Sequence, residues 1–252
     1  MTTSVNHALH IQVRRIALRQ PLEWLGRGWT DLKEIGWPGL AHGALIAILG
    51  GVLLMLGSTH LYLTAAAVTG YLLVGPVMTA GLCELARRRE ARESVSFDES
   101  LQALTRNPEG LLNFGGALGL IALLWFVLSA ILLESVLSAP VPSLAVAVWG
   151  GSAPMSMPQL LGYLGCGAVL ALVVFAVSIV SVPLIFDRHA SATDAIRASV
   201  RATASNLPAT LLWAALIVVV TAIGFLTLLV GMVIVAPLLG YATWHAYRDL
   251  IA

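Results

Sequence analysis

Histidine and cysteine are the residues of this 252-residue chain best suited to chemistry, and it has six of the first and two of the second. Paired histidines from facing helices can hold a haem. His42 and His245 lie inside apolar segments at similar depth, and Gly43 beside the first would help admit a ring. They are the two candidates for cofactor binding, and the reading preferred for both is a satisfied interfacial histidine. His7 and His10 fall in an N-terminal tail, and His60 falls in a turn. Cys83 and Cys166 are far apart within apolar runs and read as small hydrophobes, with no disulfide or metal between them. No phosphate-binding glycine loop, nucleophile elbow or zinc spacing occurs. The pattern predicts neither catalysis nor a bound cofactor or metal.

Charge inside a membrane span marks function by default. Glu84 sits at the end of an apolar run, where the spacing to Arg88 predicts an i, i+4 pair. Glu134 stands at the far end of another run, within reach of the interface. Neither resembles a proton relay, which argues against a pump or a charge-coupled transporter.

The elements that carry these residues follow from composition. The chain is 58% apolar and 11% charged, with a mean hydropathy of +0.89. A soluble domain carries about 25% charged residues. A net charge of +1 gives no reason to expect nucleic acid. A membrane-crossing helix needs roughly 20 apolar residues. Six segments answer that description: residues 38–57, 61–83, 111–133, 160–186, and a block from 207 to 247 long enough for two helices folded back between Gly224 and Gly231. All 14 Lys and Arg then fall on one side. Basic residues remain cytoplasmic, so both termini are expected inside, in a bacterial inner membrane. Residues 1–20 lack the apolar stretch and cleavage site of a signal peptide and read as a cytoplasmic tail. Residues 21–252 read as a single membrane domain.

That domain is predicted as an all-α polytopic helix bundle, six transmembrane helices in three tandem repeats of about 21–90, 91–189 and 190–252. Each repeat is a cytoplasmic amphipathic helix followed by a helical hairpin, and the middle one is enlarged by an outer loop over about 134–159. Ser96 with Glu99 forms a capping box, and Phe97, Leu101 and Leu104 give the helix behind it one apolar face. Asn107-Pro108 then opens a span. The grammar recurs with Ser191, Asp194, Ile196, Val200 and Asn206-Leu207-Pro208, and more loosely before Trp37-Pro38. The return spans carry Pro76, Pro183 and Pro237 near their cytoplasmic ends, where proline frees a carbonyl and bends the helix as a kink or hinge.

Two surfaces stand out. Arg87, Arg88 and Arg89, and separately Arg197 and Arg201, suit anionic lipid or a docking partner. Gly43, Ala47 and Gly51, like Gly115 and Gly119, form small-residue stripes for close helix packing inside the bundle or between copies. The function expected is a non-catalytic accessory or assembly subunit of a membrane complex. Its partners are the lipid bilayer and another membrane protein or a second copy of the chain. The alternative is a transporter or lipid-handling protein for a neutral or amphipathic substrate.

Three pieces in order, Gly28-Trp29-Thr30-Asp31-Leu32, Val74-Gly75-Pro76 leading to Glu84-Leu85 and Arg87-Arg88, and Phe97-Asp98-Glu99-Ser100-Leu101, resemble a prokaryotic family of predicted integral membrane proteins with no assigned function. Some of its members are named as cytochrome c oxidase subunits. The resemblance therefore implies an accessory role in a respiratory complex.

Overall fold

Proline and glycine set the first boundaries. Pro21 opens α1 (Gln20–Ile35) at a position where a missing N–H costs nothing. Gly36 closes it at φ +65, a left-handed value that glycine adopts without strain. The chain then turns by 107° into α2 (Trp37–Gly57). The computed structural model describes residues 11–57, 78–136 and 156–252. Its remaining helices are α3 (residues 78–90), α4 (Phe97–Ser100), α5 (Gln102–Arg106), α6 (Pro108–Val136), α7 (Met157–Ser178), α8 (Ser181–Arg188), α9 (Ala192–Ser205), α10 (Leu207–Leu226) and α11 (Met232–Leu250). The fold is all-α, and the extended backbone pairing among these residues is one isolated bridge, Val13 with Ile251.

The polar signals act where their spacing places them. Ser96 Oγ accepts from the Glu99 N–H at 3.2 Å and Ser191 Oγ from the Asp194 N–H at 3.1 Å. Such caps contribute about 1 kcal/mol each. The chain reverses between Leu226 and Met232, inside the predicted window.

The faces agree with expectation in part: Leu104 and Ile196 pack against the core and Phe97 against His42. Leu101 and Val200 are exposed, whereas Ser100 and Ala103, and Ala195, Ala198, Ser199 and Ala202, are buried. Small side chains let these helices come close enough for backbone to be reached: Ser199 Oγ donates to the Ala176 carbonyl at 2.7 Å. Backbone proximity outweighed side-chain size in choosing the face.

Among the described residues three helices are long and apolar enough to cross a membrane: Pro108–Ser129, Met157–Arg188 and Leu207–Leu226. A fourth is added if α1 and α2 count as one bent span. Most of the expected second span, with Pro76 in it, and most of the 134–159 loop lie outside the described residues. The expected sixth span is α11. Its first turns are apolar, but its last carry Trp244, His245, Arg248 and Asp249, so over its whole length it is too polar for that description.

α11 is the packing centre. A Cβ on Gly28 of α1 would lie 2.9 Å from the Leu238 carbonyl oxygen, and one on Gly43 of α2 would lie 2.1 Å from that of Val233. Gly240 of α11 admits Leu82 of α3 in the same way. The large buried side chains, Trp24, Trp213, Tyr241, Trp244, Tyr247 and Phe186, gather at the charged end of the helices. Many leucines of α6, α7 and α10 point outward, as they should in lipid.

Candidate functional site

Two carboxylates at the charged end have no exposed surface. Glu84 of α3 takes Arg87 (2.8 and 2.9 Å), Arg88 (3.0 Å) and Arg106 of α5 (2.8 Å). The Arg88 contact is the i, i+4 pair its spacing predicts. Beyond this centre Arg87 reaches Glu93, which holds that carboxyl below its usual range. Arg88 also donates to the Gln102 side chain at 2.7 Å and the Ser94 carbonyl at 3.2 Å. One buried negative charge thus organises three guanidinium groups from two elements.

Asp31 of α1 is the second. It accepts from Arg89 of α3, and its other oxygen lies 2.8 Å from His245 Nε2 of α11. Arg89 also binds Glu34. The sequence marks His245 and Arg89 as candidate site residues, and Asp31 only as part of the Gly28–Leu32 piece. The signal was present: Asp31 shares the helical face of Trp24, Gly28, Leu32 and Ile35. A third cluster closes the end of the bundle, where Asp249 accepts from Trp24 Nε1 at 2.8 Å, from Gln20 at 3.0 Å and from Arg27. Burial alone would raise the Asp249 carboxyl, but Arg27 and Trp24 hold it below its usual range.

The two histidines are not brought into one site. His42 Nε2 lies 2.8 Å from Ser100 Oγ, against the Phe97 ring at 4.7 Å. The Ser100 hydroxyl gives its proton to the Phe97 carbonyl, so the imidazole supplies the proton of the shared bond. Among the described residues that leaves His42 Nδ1 as a buried acceptor without a partner, as the Tyr241 hydroxyl also is. His245 is committed to Asp31. Among the described residues no group of three or more His, Cys, Asp or Glu is placed to hold a metal ion.

The asparagines at the helix–span junctions act as clamps. Asn107 donates to the Ile185 and Ala190 carbonyls (3.1 and 3.0 Å) and accepts from the Gly110 N–H. Asn206 accepts from the Ile16 N–H at 2.9 Å and donates to the Arg14 and Ala202 carbonyls. The strand-like segment that Asn206 grips also pairs with the C-terminus: the Arg14 N–H donates to the Leu250 carbonyl and the Ala252 N–H to that of Gln12. Asn206→Ala is expected to cost about 1–3 kcal/mol, since it leaves the Ile16 N–H unpaired. Hydrogen exchange should then quicken over residues 11–19, while the distant Asn107 clamp keeps its protection. Equal exchange in both proteins would remove the clamp role. Pro108 and Pro208 stand in the first turns of α6 and α10 as expected. Pro183 follows the break between α7 and α8, and Pro237 lies inside α11.

The arginines divide differently from a lipid-facing row. Arg87, Arg88 and Arg89 turn inward because buried Glu84 and Asp31 demand counter-charges. Arg197 stays exposed, 3.9 Å from Asp194, and Arg201 reaches the Ile11 carbonyl.

The segment that supplies Glu84 and its three arginines is also the one that comparison recognises. Residues 63–187 match the family DUF2189, described as predicted integral membrane protein. DUF2189 spans about half of the chain, less than the pieces from Gly28 onward suggest. Within it fall Val74 to Arg88, Phe97 to Leu101 and the Asn107 clamp; Asp31, His42, Asn206 and His245 lie outside. The DUF2189 description carries no activity, and nothing in it speaks of cytochrome c oxidase. No curated protein and no solved structure matches the chain.

Proposed function

We propose that the chain is a non-catalytic subunit, an accessory or assembly factor that holds a partner within the bacterial inner membrane. The observation that carries this is the state of the buried charge. Asp31 and Glu84 are saturated by arginines and a histidine of the same chain, so neither is free to move a proton or bind a substrate. What the chain presents is apolar helix surface. α6 turns Leu112, Leu120, Leu123 and Leu124 outward, and among the described residues a Cβ on its Gly115 or Gly116 would meet nothing within 4 Å. That face suits another helix. The respiratory setting implied by the resemblance belongs to the same proposal.

The architecture proposed with it is six spans with both termini cytoplasmic, in three repeats arranged as a ring. Support comes from how the amphipathic helices rest. α5 lies on α3 through Arg106–Glu84, α9 lies on α7 and α8, and α1 lies on α11. Each thus rests on the return helix of the preceding repeat, the first on the last. Asn107 and Asn206 follow the same rule, each gripping backbone just before the next amphipathic helix, α9 and α1 respectively.

Gentle isolation from native membranes is expected to bring a membrane-protein partner in fixed ratio, with a haem absorbance if the partner is an oxidase. A second reading draws on an open apolar groove of about 290 Å³ between α2 and the α10–α11 turn, lined by Ala47, Gly51 and Leu229 among others. That groove favours an amphipathic ligand. A lone monomer that moves lipid analogues across proteoliposomes would replace the first reading with this one.

A further inference from the structure

The outer side of α1 is divided lengthwise. At about 100° per residue, Leu22, Trp29 and Lys33 fall on one edge of its exposed surface, and Glu23, Thr30 and Glu34 on the other. The first edge adjoins Leu25 and Leu32; the second adjoins Arg27. Leu22 and Trp29 are half-exposed, as is Leu18 just ahead of the helix, and Trp37 at the corner with α2 is 75% exposed. Because α1 meets α2 at 107°, it runs across the direction of the apolar helix it leads into. An amphipathic helix in that attitude lies in the plane of the interface. Its apolar edge faces the acyl chains and its acidic edge the water.

The cations complete the pattern. Arg15, Arg19 and Lys33 are exposed, and among the described residues their side chains make no ion pair or hydrogen bond. Arg87, Arg88 and Arg89 are, by contrast, consumed inside the fold. Tryptophan favours the headgroup level, and a lysine at the boundary extends its ammonium there over an apolar stem. We propose that this edge of α1, with the arginines that precede it, is a binding surface for anionic phospholipid headgroups. The surface needs only that the chain is embedded in a bilayer, so it stands or falls separately from the accessory role.

The test uses the full-length chain carrying Cys166→Ser, with Cys83 left buried. Single cysteines replace Leu22, Trp29, Glu23 or Thr30 and carry an environment-sensitive fluorophore. In nanodiscs of phosphatidylcholine with one-third phosphatidylglycerol, labels at 22 and 29 should emit in the blue and be quenched by a shallow nitroxide lipid. Labels at 23 and 30 should behave as in water. Omitting phosphatidylglycerol should weaken the quenching at 22 and 29 several-fold. The triple variant Arg15→Gln, Arg19→Gln, Lys33→Gln should abolish that dependence while unfolding at the wild-type temperature, since the three side chains hold no other group among the described residues. Four labels alike in water would overturn the proposal. So would quenching indifferent to phosphatidylglycerol, which marks a merely apolar contact. Shielding seen in native membranes but not in pure-lipid discs would overturn it too, by assigning the edge to a protein.

Discussion

Glu84→Gln is expected to destabilise the protein by about 3–5 kcal/mol, the usual cost of removing one partner from a buried ion pair. The glutamine keeps the shape and loses the charge. Arg87 can fall back on Glu93, and Arg88 on Gln102, Ser94 and Glu99. Among the described residues Arg106 has Glu84 as its one ion-pair partner, and it would be left beside two further cations. Thermal unfolding in mild detergent and abundance in the membrane should both fall. Adding Arg106→Gln to the variant should recover part of the loss, because it removes the cation with the fewest alternatives. A glutamine variant as stable as wild type would mean that water already solvates these guanidinium groups. The carboxylate would then be dispensable.

Gly43→Leu is expected to cost about 3 kcal/mol, at the upper end for an overpacked site. The cause lies on the facing helix. Pro237 has no N–H, so the Val233 carbonyl four residues earlier loses its helical partner. That carbonyl lies against Gly43: a Cβ there would be 2.1 Å from its oxygen and 2.7 Å from its carbon. Backbone cannot step aside as a flexible side chain does. α2 and α11 would have to separate, opening the contact that seats His42 and Tyr241. Gly51, two turns further along α2, has nothing within 4 Å among the described residues, so Gly51→Leu should change stability by less than about 0.5 kcal/mol. Comparable unfolding temperatures for the two variants would show that the stripe is not a packing seam.

Much of this was legible in the chain alone because it rests on local spacing. Ser96 and Ser191 cap their helices because a hydroxyl three residues before an amide reaches it in any surroundings. Glu84 meets Arg88 because i, i+4 neighbours share a helical face. The gathering of charge at one end follows from the alternation of apolar runs with basic clusters. What the tertiary structure decided is which groups meet across helices. Asp31 lies 58 residues from Arg89 and 214 from His245, and Asn206 grips backbone 190 residues away. Periodicity shows that a helix has an apolar side, but not which polar residue on that side will find a counter-charge. Nor does it choose between a face of leucines and one of alanines and serines. In α9 close approach of the backbone selected the small residues, and in α3 the buried carboxylate drew three arginines inward from the surface where their charge alone would have placed them.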